Sequence, residues 1–115
     1  NEKIIRIVRV RTCDGIPVML EENHFAVRFA YLFSHDLTGS LYQILAENGT
    51  IMNNGIKRIG ICSANEIEAK HLGVALDKPM LYVKDVSFDR QGNPVHNSKC
   101  VINPERYKMT IRVNA

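Results

Sequence analysis

The stretch Ile4-Ile5-Arg6-Ile7-Val8-Arg9-Val10-Arg11-Thr12-Cys13-Asp14-Gly15-Ile16-Pro17-Val18 decides how the rest of the chain is read. β-Branched residues alternate with arginines up to an Asp-Gly pair, and an extended pattern resumes at Ile16, which is the signature of a β-hairpin. Pro17 falls near the start of the second strand, where a missing N–H matters least. Residues two apart on a strand share a face, so Arg9 and Arg11 lie side by side, about 7 Å apart, with Ile5 and Ile7 behind them. Arg6 points the other way, among Ile4, Val8 and Val10. A two-residue loop would set Val18 and Leu20 opposite Arg11 and Arg9. A three-residue loop bulged at Gly15 would instead set Met19 and Glu21 there, and this longer loop is favoured because Glu21 then balances part of the arginine charge.

Both faces of the first strand are largely apolar, so two guanidinium groups on one face call for a counter-charge. A bound phosphate or carboxylate would supply it, since two planar forks can enclose one anion. The ordinary alternative is a carboxylate on the next strand, or solvent at the strand edge.

Outward from the hairpin, Ala26 to Phe33 is a short aromatic-rich segment, and Ser40 reads as the start of a helix carrying Leu41, Ile44 and Leu45 and closed by Asn48-Gly49. Thr50 to Cys62 reads as a strand whose beginning is irregular around Asn53-Asn54-Gly55. Ser63-Ala64-Asn65-Glu66 reads as a capping box opening a helix from Ala64 to Leu72, stopped by Gly73. Pro79 opens a strand from Met80 to Phe88, which turns through Asp89 to Asn93 into Val95 to Ile102, and Arg106 to Val113 is expected to form a last strand. The order predicts the α+β class, a mainly antiparallel sheet with short helices on one face.

At 115 residues one domain is expected, and the formal net charge of +3 comes from scattered residues without a basic run. Neither a nucleic-acid surface nor a polybasic membrane anchor is indicated. Cys13, Cys62 and Cys100 are widely spaced and odd in number, which argues against a disulfide framework and fits a reducing cytoplasm. No apolar run approaches the roughly 20 residues of a membrane-spanning helix. The sequence starts at Asn1, which suggests a longer parent chain.

His24, His35, His71 and His96 stand far apart, so no metal site is expected. Glu66 and Glu68, like the adjacent Glu21 and Glu22, face different directions, so no carboxylate pair is set for acid-base catalysis. Neither a catalytic residue nor a cofactor is indicated. What remains is a set of polar groups, Arg9, Arg11 and Glu21 on the hairpin, Ser40 at a helix start, and His96 and Ser98 on a late strand. Each also has a plain reading as a salt-bridge partner, a cap or a half-exposed strand residue. A helix start beside two arginines would favour an anion.

The run Arg9-x-Arg11, Asp14-Gly15-x-Pro17-Val18, Glu21, Asp36-Leu37-Thr38-Gly39-Ser40-Leu41-Tyr42, Leu72-Gly73-Val74, Pro79-Met80-Leu81, Asp89-Arg90-Gln91-Gly92-Asn93-Pro94-Val95 and Arg106-Tyr107-Lys108 resembles the UTRA domain over nearly the whole chain. This is the effector-binding half of HutC-subfamily, GntR-like bacterial transcription regulators. The resemblance implies a chorismate lyase-like fold over residues 1–115, a small anionic effector, a homodimer in the cytoplasm, and DNA contact only through a winged helix-turn-helix domain upstream. In relatives that sense phosphorylated amino sugars, arginines matching Arg9 and Arg11 hold the phosphate, and residues matching Glu21 and Ser40 complete the polar lining. A late glutamate and tyrosine that touch the sugar are replaced here by His96 and Ile102. The resemblance therefore implies a retained anion clamp with a changed sugar end, suited to a phosphorylated sugar or sugar-amine adduct, or to a carboxylated metabolite. The competing functions are a small lyase-type enzyme on an anionic substrate and a dimerisation module without a ligand.

Overall fold

The computed structural model describes residues 3–114; Asn1, Glu2 and Ala115, the ends of the expected domain, lie outside it. Five strands, β1 (Ile4–Cys13), β2 (Ile16–Ala26), β3 (Met52–Ser63), β4 (Pro79–Asp89) and β5 (Pro94–Ile102), form one antiparallel sheet in the order β1-β2-β5-β4-β3. A 3-10 segment (Val27–Ser34) and two short helices, α1 (Leu41–Glu47) and α2 (Glu66–Leu72), complete the fold.

Arg9 pairs with Glu21 and Arg11 with Met19, the expected register, but the extra residue is not in the loop. Cys13 pairs with Ile16, and Asp14 (φ 52°) and Gly15 (φ 78°) both take positive φ, which makes a two-residue type I′ turn. Thr12 pairs with Pro17 and Arg11 with Met19, so the bulge falls at Val18. Asp-Gly suits the tight turn without help, whereas Pro17 lacks a donor for the ladder, so the irregularity settles beside the proline.

The helices are not confined to one face. Ile5, Ile7 and Phe25 pack under Phe29, Leu32, Leu41, Ile44 and Leu45, so the 3-10 segment and α1 cover one face. Leu20 and Val101, of opposite parity, pack with Ala64, Leu72 and Met80, which puts α2 on the other. Hairpin order alone does not say which side a crossover takes, and the two clusters divide it.

Ser40 caps α1 by accepting from the Gln43 N–H at 3.3 Å. In α2 the capping box sits two residues later than expected, between Asn65 and Glu68, because Ser63 is still paired with Pro79 in the β3–β4 ladder. Gly73 closes α2 in the left-handed conformation, at φ 64°.

The expected last strand from Arg106 to Val113 does not form. Asn103 N–H turns away from β4 to Val18 O at 2.9 Å, and the N–H groups of Arg106 and Tyr107 both return to Asn103 O at 3.1 Å. The alternation in the tail is real, yet Ile111 and Val113 are 69% and 85% exposed, since alternation without a neighbouring edge provides no ladder.

Candidate functional site

Strand pairing carries a polar patch across the α1 face. One row aligns Arg9, Glu21, Cys100 and Val83; the next aligns Asn23, Ser98, Asp85 and Lys57; a third aligns Phe25, His96 and Ser87. Apolar side chains under α1 hold one end of this face shut, so the polar rows begin where the helical cover ends.

At the arginine end, all three side-chain nitrogens of Arg9 are engaged. Its Nε and Nη2 donate to Glu21 Oε1 at 2.9 and 2.6 Å, and Nη1 donates to the carbonyls of Leu37 and Gly39 at 2.9 and 2.8 Å. Both ionic side chains are only 16% exposed. Arg9 therefore ties β2 to the loop that leads into α1. That loop is braced by Asp36, whose Oδ1 accepts from the Thr38 N–H and hydroxyl at 3.0 and 2.8 Å. Arg11 behaves differently. Among the described residues it has no carboxylate or carbonyl partner, and it lines an open cleft of about 560 Å³ with Arg9, Thr12, Leu37 and Thr38.

At the other end the groups are neutral and linked in series. His96 is 6% exposed and stacks on Phe25 with centroids 4.5 Å apart. Burial holds its pKa down to about 4, outweighing the nearby Asp85 and Glu21 carboxylates. The Asn23 amide nitrogen donates to Ile7 O at 3.3 Å and to Glu21 at 3.4 Å, leaving its oxygen to accept from His96 Nε2–H at 2.8 Å. His96 Nδ1 is then the acceptor for the Tyr42 hydroxyl at 3.2 Å, and that oxygen accepts in turn from the Ser87 hydroxyl at 2.8 Å. Tyr42 and Ser87 face a second cleft of about 570 Å³, floored by the Lys57–Asp85 ion pair. This hydrogen bond with Asp85 raises the Lys57 pKa.

The structure thus brings Arg9, Glu21 and His96 into one connected network through Asn23, and leaves Arg11 at its open edge. Ser98 is buried on the same face, 8% exposed. Ser40 is exposed and serves α1 as its cap. Ile102 pairs with Met19 and Leu81 in the sheet floor and is 1% exposed, closed to solvent. Asn23, Tyr42, Lys57, Asp85 and Ser87 were missed from sequence. Asn23 had a signal, since it shares parity with Glu21; the others required the order of β3, β4 and β5. Cys100 lies on this face too, and burial pushes its thiol up to about 11. It stays protonated at neutral pH and is a poor nucleophile.

No helix among the described residues is long and apolar enough to cross a membrane. In sequence the chain is 26% identical over 114 residues, 96% of its length and 47% of the relative's, to a protein of Escherichia coli K12 named as a probable fructoselysine utilization operon transcriptional repressor. It is 26% identical over 106 residues, 90% of its length and 44% of the relative's, to the HTH-type transcriptional repressor NagR of Bacillus subtilis. The chain thus spans about half the length of these curated relatives. Its fold is that of PhnF from Mycobacterium smegmatis, with a TM-score of 0.91 at 24% identity over 97% of this chain and 51% of that one. It is also that of the C-terminal domain of the histidine utilization repressor from Pseudomonas syringae, with a TM-score of 0.86 at 16% identity over 99% and 81%. The UTRA domain profile matches residues 1–108. With hairpin, antiparallel sheet and polar α1 face all in place, the chain belongs to the UTRA domain family.

Proposed function

We propose that this domain is the effector sensor of a homodimeric, GntR-type transcription repressor in the cytoplasm, and that it binds a small anionic metabolite on the α1 face. A phosphorylated sugar or sugar-amine fits best. DNA is contacted by a separate winged helix-turn-helix domain. The observation that carries the reading is the contrast on one strand face: Arg9 has all its nitrogens engaged, while Arg11, two residues on, faces a cleft with no protein counter-charge among the described residues. A permanently charged fork beside a cleft suits an oxyanion.

Arg11 holds the anion, with Arg9, Glu21 and Ser40 shaping that end. His96 and Ser98 form the floor towards the neutral end, while Ile102, in the same strand row as Arg11 and closed to solvent, lies beneath the charged end. His96 and Ile102 stand where relatives that sense amino sugars carry other residues. Neutral hydrogen-bonding groups there suit hydroxyls better than a second charge. The name of the Escherichia coli relative, a probable fructoselysine repressor, agrees with a sugar-amine. The half-buried, protonated Cys100 and the neutral His96 supply no thiolate–imidazolium pair, which favours sensing over turnover.

Binding acts by population shift. An anion at Arg11 adjoins the loop whose Leu37 and Gly39 carbonyls Arg9 holds, so the ligand distinguishes a loop that is tied from one that is released. The test is thermal denaturation against a panel of hexose phosphates, amino-sugar phosphates and organic acids. A ligand at a hundred times its dissociation constant stabilises by about 2.7 kcal/mol. A shift that depends on Arg11 supports the reading, and a panel without any shift overturns it.

A further inference from the structure

The α2 face of the sheet carries a second feature, unrelated to the effector site. Arg58 pairs directly with Lys84, and Lys84 directly with Lys99, so three cations stand abreast on β3, β4 and β5. Adjacent strands lie about 4.8 Å apart, so the row spans about 10 Å. Like charges placed directly opposite each other destabilise a sheet. Among the described residues none of the three has an ion pair, and the acids nearest to them are committed elsewhere. Glu68, which shares a cleft with Lys99 and Glu22, accepts from the Asn65 N–H. Asp85 points to the α1 face and is held by Lys57, while Glu22, opposite Lys99 on β2, is taken by Arg6.

The surroundings of the row form a site of small-molecule size. Arg58, Lys84 and Lys99 line a cleft of about 470 Å³ with Ile56, Val86 and Asn97, and Asp85 and Ser98 of the same strands also border it. On the other side of the row the Tyr82 ring lies across Gly60, where a Cβ would meet it at 2.6 Å, and the Lys84 ammonium sits 5.6 Å from the ring centroid. Gly60 thus lets an aromatic ring lie flat at the edge of the cations.

We propose that this row binds a small anion built of two or three linked phosphate groups. The cations are spaced to meet successive phosphates across the strands, and the uncompensated charge is the complement of such a chain. The phosphates could belong to an inorganic polyphosphate or to a nucleotide. A nucleotide would place its base against Tyr82.

Thermal denaturation of the 115-residue chain with sodium tripolyphosphate, ATP and orthophosphate tests this. Tripolyphosphate is expected to raise the melting temperature more than orthophosphate, and Lys84→Gln and Arg58→Gln, both at exposed positions, each to weaken its binding at least tenfold. The titrations are run in the Arg11→Ala background, which removes binding of the same polyanions at the effector cleft. Stronger binding of ATP than of tripolyphosphate assigns the site to a nucleotide, and equal or weaker binding to the phosphate chain alone. Absence of a shift with both polyanions overturns the proposal. A shift that survives Lys84→Gln in that background does so too.

Discussion

The two ends of the α1 face solve the problem of buried polarity in different ways. At the arginine end charge is matched by charge, with Glu21 and two loop carbonyls around Arg9. At the histidine end charge is avoided, because burial keeps His96 neutral and a chain of hydrogen bonds satisfies it. Asn23 is the joint between them, bonded to Glu21 on one side and His96 on the other. The face therefore presents a cation at one end, and neutral donors and acceptors beside the paired Lys57 and Asp85 at the other.

The joint should be the costliest place to cut. Asn23→Ala strands the Ile7 carbonyl and the His96 Nε2–H in the interior and is expected to lower stability by about 3 kcal/mol. Urea denaturation measures it. A loss below about 1 kcal/mol would mean that the two ends are independent.

The histidine end predicts a pH dependence of stability. An unfolded chain protonates His96 near 6.5, whereas the folded one does so only near 4. Between those values the unfolded state binds more protons, so stability is full above pH 6.5 and falls as the pH drops towards 4, by up to roughly 3 kcal/mol. His96→Gln should flatten that slope. An unchanged slope in the variant would place the titrating group elsewhere.

Smaller effects separate the two arginines. Arg9→Ala removes a largely enclosed ion pair and two bonds to the loop, and is expected to cost about 2 kcal/mol of stability as well as ligand affinity. Arg11→Ala gives up no hydrogen bond or ion pair among the described residues and should change stability by less than about 0.5 kcal/mol. Equal stability losses in the two variants would erase the distinction between a structural and a receptive arginine.

Much of this was legible in the sequence, for local reasons. The hairpin, its register, both helices and the Gly73 stop follow from turn residues, caps and alternation, which act within a few residues. The site of the bulge was not, because Glu21 faces Arg9 whether the extra residue sits at Gly15 or at Val18, and only the ladder separates the two. The tail from Arg106 to Val113 has the pattern of a strand, but pattern does not supply a partner. The same limit hid Tyr42, Asp85 and Ser87, whose meeting with His96 depends on β5 lying between β2 and β4. The arginine pair itself was visible. That only one of its members lacks a partner among the described residues was not, since the Leu37 and Gly39 carbonyls come from a loop about thirty residues away.

The central claim is that Arg11 receives the charged end of the effector. Thermal denaturation of the parent chain and of Arg11→Ala, each against the same panel of hexose and amino-sugar phosphates, tests it most directly. The account predicts a melting temperature raised by at least one of these anions in the parent chain, an affinity for it at least tenfold lower in Arg11→Ala, and equal stability of the two chains without ligand. An anion that binds both chains with the same affinity would contradict it.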